Sequence, residues 1–157
     1  MTDWAAVLNA VQVALGGDRL LGRELLSECW RDVELADALG AAKRCVIAHY
    51  LADLQDTLAG EIGWDERALA EFGGVGETDL AAIGIPSSAA LAPSLHLNLG
   101  DAYLRQRRLD AARAQVEAGL DAQETLADDG YGAMIRGGLD RLAARLAELD
   151  TGDPPGR

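Results

Sequence analysis

Aromatic and β-branched side chains are scarce in this chain: 7 aromatics, 7 Val, 5 Ile and 5 Thr among 157 residues. Strands draw on those residues because they pack on a pleated, half-buried surface. Their shortage excludes a β-sandwich or barrel and leaves little room for a parallel-sheet α/β fold. Lysine is scarcer still, present once, as Lys43, and all the other cations are arginines. With 26 Asp plus Glu against 14 Lys plus Arg, the net charge is -12. Phosphate backbones are held by clustered cations, so nucleic acid and anionic membrane surfaces are excluded as default partners. Cys29 and Cys45 stand apart without a CxxC or His-spaced pattern. That argues against a disulfide framework and a zinc cage, and both read as small core residues. No run approaches the roughly 18 apolar residues of a membrane helix. The first residues, MTDWAAVLNAVQ, lack the cationic start of a signal peptide, so the expectation is a cytoplasmic protein.

What is abundant points one way. The chain holds 29 Ala and 25 Leu, a third of its residues, and these head the helix-propensity ranking. A length of 157 residues is that of a single domain of roughly 100–150 residues, expected here over 1–150, with 151–157 as a disordered tail. Apolar residues recur at helical spacing in seven windows. The first, Trp4 to Leu15, stops at Gly16 and Gly17, and the second opens behind Asp18 as N-cap. The third runs from about Asp37 to Asp56, and the fourth follows Thr57 to Phe72. Between Gly73 and Pro93 the pattern breaks, leaving an ordered connection, a mobile loop or a short helix around Thr78 to Ile83. The fifth window starts after Pro93, a residue that suits a first helical turn. The sixth spans Leu109 to Leu126 and the seventh runs from about Asp129 to Leu149. Helices joined by short connections become antiparallel neighbours, so the pattern predicts a run of helical hairpins.

Residues His96 to Leu120 carry a repeat signature. Leu99, Gly100 and Tyr103 occupy one helix, Leu109 and Asp110 the turn, and Ala112 and Val116 the next helix. Gly100 and Ala112 are small where two backbones would approach, and Tyr103 fills the gap one turn on. This segment resembles a tetratricopeptide repeat, clearest over 93–126. His96 stands for the usual Trp, Gly119 for the late Ala and Glu124 for the terminal Pro. Weaker echoes place Ala48, Leu51, Gly60 and Trp64 in an earlier repeat, and Gly22, Leu26 and Cys29 in the second helix of a first hairpin. The resemblance implies an all-α, right-handed α-solenoid of about three hairpins, an insertion at 73–92, and a C-terminal capping helix.

Helices that line the concave face of such an array present a stripe for binding. In the best repeat that stripe holds Ser94, Asn98, Asp101 and Arg105; in the preceding one it holds Cys45, Val46, His49, Asp53 and Asp56. Relatives that grip a terminal carboxylate do so with Asn and Lys there. Asn98 matches, the lysines do not, and the acids favour a basic or neutral partner segment. The expected function is a non-enzymatic protein- or peptide-recognition module without cofactor or metal. Its binding residues would be His49, Asp53, Asp56, Asn98, Asp101 and Arg105, helped by the loop from Gly73 to Pro93. The alternatives are a small-molecule binder or enzyme around His49 and Asp53, which lie one helical turn apart, and an oligomerisation or regulatory subunit. An acidic run from Asp56 to Asp79 and a basic turn of Arg105, Arg107, Arg108 and Arg113 further raise self-association as a homodimer. Trp4, Trp30 and Trp64 sit among Leu and Ala and read as core. Gly137 and Gly138 read as a close-packing surface of the last helix.

Overall fold

The computed structural model describes residues 2–152. Seven α-helices account for most of them: α1 (Trp4–Leu15), α2 (Arg19–Asp32), α3 (Gly40–Asp53), α4 (Leu58–Phe72), α5 (Ala92–Arg105), α6 (Leu109–Asp121) and α7 (Gly130–Gly152). No strand occurs among the described residues, so the fold is all-α. No helix there is long and apolar enough to cross a membrane. The chain divides into two compact units, Met1–Ser88 and Ala89–Arg157. In the first, α1 packs on α2, α2 on α3 and α3 on α4; in the second, α5 packs on α6, and α7 on both.

Helix ends lie where side chains can satisfy free backbone donors. Asp3 accepts from the Ala6 amide at 2.8 Å, Asp18 from Leu21 at 3.1 Å, Thr57 from Gly60 at 3.0 Å and Asp129 from Gly132 at 2.7 Å. Pro93 occupies the first turn of α5. Two hairpins share a register. Gly22, Leu26 and Cys29 are the fourth, eighth and eleventh residues of α2, and Ala112, Val116 and Gly119 those of α6. All six are buried. The small fourth residue is where the helices touch: a Cβ on Gly22 would stand 2.6 Å from Ala14 Cα. The core of the first unit holds Val7, Leu26, Cys45, Ile47 and Leu51, and that of the second Leu99, Ala102 and Leu139. Burying each leucine contributes roughly 1.5–3 kcal/mol.

Three boundaries differ from the sequence expectation. Helix α3 starts at Gly40, not near Asp37, because Asp37 is used as a tie. Its carboxylate accepts from the Leu39 amide at 2.9 Å and from Lys43 Nζ at 2.6 Å. The lysine, buried on a helix interior, keeps the Asp37 pKa below its usual range through that hydrogen bond. Helix α3 also ends at Asp53, so Asp56 lies in the following turn. Helix α6 ends at Asp121, and one 3-10 turn, Gln123–Thr125, delivers Leu126 into a cluster with Ile135 and Leu139, against which Leu97 and Leu120 pack. Helix α7 runs to Gly152, into the expected tail; residues 153–157 of that tail lie outside the described residues.

The segment after α4 is an ordered connection. The Ser88 amide donates to the Glu77 carbonyl at 2.8 Å and the Ser88 hydroxyl to the Gly76 carbonyl at 2.7 Å. Asp79 accepts from the Gly76 amide at 2.7 Å. Leu80 is fully buried beneath these ties, and a 3-10 turn at Ala81–Ile83 falls within the short helix anticipated there.

Candidate functional site

The six candidate residues divide between the two units, three in each. In the first, His49 and Asp53 are on α3, one turn apart, but no hydrogen bond joins them. His49 Nδ1 is buried without a hydrogen-bond partner, and its ring lies edge-on to Tyr50, 5.4 Å between centroids. Burial without a compensating anion disfavours the imidazolium and pushes the His49 pKa down to about 4. Asp53 has an exposed side chain at the end of the helix. Surrounding protein and Glu61 raise its pKa, with Arg19 opposing; Arg19 also donates to the Asp53 carbonyl at 3.2 Å. Asp56 pairs with Arg23 at 3.0 Å but is itself 79% exposed, so the pair is worth little. Cys45, one turn before His49, is fully buried, and burial pushes its thiol up to about 12. Such a thiol is inert at neutral pH. Among the described residues no three His, Cys, Asp or Glu side chains come together as a metal site.

The second unit gathers its three candidates at a pair of adjoining recesses. Leu97, Asn98, Asp101 and Leu104 of α5, with Gly138, Arg141, Leu142 and Arg145 of α7, line a groove of about 480 Å³. Gly138 shapes its wall, since a Cβ there would meet Leu97 Cδ2 at 2.7 Å. Gly137 meets only Arg141 of its own helix, so of the two glycines only Gly138 serves packing between helices. Asp101 accepts from Arg105 Nε at 2.9 Å, and Arg105 lines the neighbouring recess with Leu104, Arg107, Arg145 and Leu149. Ser94, on the same helix stripe, is buried and donates to the Leu91 carbonyl at 3.0 Å; it is a strut of the helix start.

Arg141 and Arg145 were missed by the sequence reading. Their four-residue spacing places them on one face of α7, and that was the available signal. It went unused because a capping helix was expected to cover an end, not to line a groove. The charge runs also look different in three dimensions. Within the acidic run, Asp56 pairs with Arg23, Glu71 with Arg44 at 3.1 Å, Glu77 accepts from Ser87 at 2.6 Å, Asp79 closes a turn and Asp65 is buried. Within the basic turn, Arg108 stacks 4.3 Å over Tyr103, and Arg113 bonds both Asp110 and Asp150. Trp30 and Trp64 are half-buried and meet edge-to-face at 5.0 Å, with Arg67 4.4 Å above Trp64.

What these arrangements can do divides along the same line. The first unit offers a neutral, half-buried imidazole with an enclosed Nδ1, and an inert thiol. The second offers an open groove with an amide, a carboxylate and guanidinium groups on an apolar floor. No protein-family model, no curated protein and no solved structure matches this chain.

Proposed function

We propose that this protein is a non-enzymatic recognition module of the tetratricopeptide type that holds an extended segment of a partner protein in the groove between α5 and α7. The observation that carries the reading is the lining of that groove: Asn98 and Asp101 from one helix, Arg141 and Arg145 from the other, over Leu97, Leu104 and Leu142. An amide and guanidinium forks supply donors and acceptors to an extended backbone, and the leucines supply pockets for its side chains. The finer architecture, a right-handed array of about three hairpins closed by α7, and a cytoplasmic setting belong to the same proposal.

The groove charge favours an acidic segment over the basic or neutral one expected from sequence. That expectation counted Asp53, Asp56 and Asp101 as free acids. Asp53 and Asp56 belong to the first unit, and Asp101 is engaged by Arg105. Arg141 and Arg145 were not in the count. Probing an array of short randomised peptides with the labelled protein tests this. Captured sequences should be enriched in Asp and Glu, and an Asn98→Ala/Arg141→Ala double variant with unchanged Tm should lose about tenfold in affinity. An array with no captured sequence, or equal binding by the variant, overturns the reading.

A further inference from the structure

We propose that the outer face of α1 is where this protein meets a second copy of itself, the two α1 helices packing antiparallel about a twofold axis. Helix α1 is apolar on both sides. Val7, Ala10 and Val11 are buried, while Ala5, Leu8, Gln12 and Leu15, at steps of three, four and three, share one exposed stripe. Leu15 is 72% exposed, and just past the turn Leu20 is 69% exposed and Leu21 43%. Leu8, Leu15, Leu20 and Leu21 are most of the large apolar side chains exposed among the described residues, and all belong to the α1–α2 hairpin. A helix apolar on both sides is ordinarily covered on both, and apolar side chains gathered at a surface mark a site of association.

Charge and shape name the occupant. Among the described α-helices, α1 alone carries no ionisable side chain. On a chain with a net charge of -12, two copies repel wherever their acidic surfaces meet, and the α1 stripe lets them meet without opposing like charges. The same net charge turns the face away from anionic bilayers, and a basic partner gains nothing from a stripe that holds no anion. The stripe is also complementary to itself. Aligned antiparallel about its middle, it sets Leu15 of one copy against Ala5 of the other and Leu8 against Gln12, each contact made twice as a twofold axis requires. The Gln12 amide both donates and accepts, so it needs no charged partner there. Antiparallel helices also bring the positive N-terminal end of each to the negative C-terminal end of the other. Two such faces cover at most about 1,000 Å², the lower limit for a specific contact, so the dimer is weak and reversible.

The face belongs to the first unit and the groove to the second, so this proposal and the peptide reading fail separately. Sedimentation velocity of the full chain from about 10 μM to about 1 mM should show a monomer–dimer equilibrium with a dissociation constant on the order of 100 μM. Association should be no weaker in high sodium chloride than in low, because no ion pair holds it. Amide NMR signals followed over the same dilution should move at Ala5, Leu8, Gln12, Leu15, Leu20 and Leu21. A Leu15→Glu/Leu20→Glu variant, changed at two exposed positions, should keep its Tm and dimerise at least about tenfold more weakly, since pairing would strip water from each carboxylate. Leu15→Met/Leu20→Met should still dimerise. A monomer throughout, whether or not neutral lipid vesicles or a different protein capture it, overturns the proposal. So does a dimer that high salt dissolves, assembly that continues beyond a dimer, or wild-type association in the glutamate variant.

Discussion

The α1–α2 and α5–α6 turns do the same geometrical job with opposite chemistry. Each reverses the chain in three residues, Gly16 to Asp18 and Gln106 to Arg108, and each passes through one left-handed residue. In the first unit that residue is Gly17, and Asp18 then caps α2 through the Leu21 amide. In the second it is Arg107, and Arg108 gives α6 no side-chain cap. The two histidines contrast in a similar way: His49 has a buried, unpartnered Nδ1, whereas His96 Nδ1 lies 2.8 Å from Gln115 Oε1. The first unit thus has a glycine turn and a histidine without a partner for its buried nitrogen, and the second has a partnered histidine and a turn that departs from glycine chemistry. The departure at Arg107 is on the surface, where the side chain stays in water; the departure at His49 Nδ1 is in the interior, where an unpaired polar atom is a cost to folding.

The largest expected effect separates the units by pH. His49 takes a proton near pH 6.5 when unfolded and only near 4 when folded, so the unfolded state binds more protons over that interval. Stability therefore falls as the pH is lowered from 6.5 toward 4, by up to about 3 kcal/mol. Urea unfolding at stepwise pH should show that slope, and His49→Leu should flatten it; an equally steep slope in the variant removes the assignment. Next, Gly22→Ala forces a methyl against Ala14 and should destabilise by about 2 kcal/mol. The equivalent exchange in the other hairpin, Ala112→Gly, should cost only about 1 kcal/mol. Reversed losses in Tm would mean that the shared register does not carry the same packing. The smallest effect is at the turns: Asp18→Ala should cost about 1 kcal/mol through its lost cap. Arg108→Ala, losing a stacked cation at an exposed position, should cost about half that. Equal losses would erase the distinction between the turns.

The hairpin pattern was legible because it is written in local chemistry. Gly16 and Gly17, Asp18, Thr57 and Pro93 each end or start a helix as read, and Gly22, Leu26 and Cys29 take the same positions as Ala112, Val116 and Gly119. Boundaries failed where a long-range tie overrode periodicity, as at Asp37, which bonds Lys43, and at Leu126, which leaves the helix to join Ile135 and Leu139. The site was half legible. Asn98, Asp101 and Arg105 follow from spacing along one helix, but their counterparts Arg141 and Arg145 depend on how α7 lies on α5, and spacing within a helix says nothing of its neighbour. His49 and Asp53 show the converse error: four residues apart puts two side chains on one face without making them touch.

The tie between Lys43 and Asp37 has a practical corollary. Lys43 is the one lysine of this chain, its side chain is 9% exposed, and its amine is locked to a carboxylate. The folded protein thus offers no lysine amine to acylating reagents, cross-linkers or modifying enzymes. Incorporation of an amine-reactive label at Lys43 would count excursions that open the start of α3, making a single side chain a built-in clock for local unfolding of the first unit.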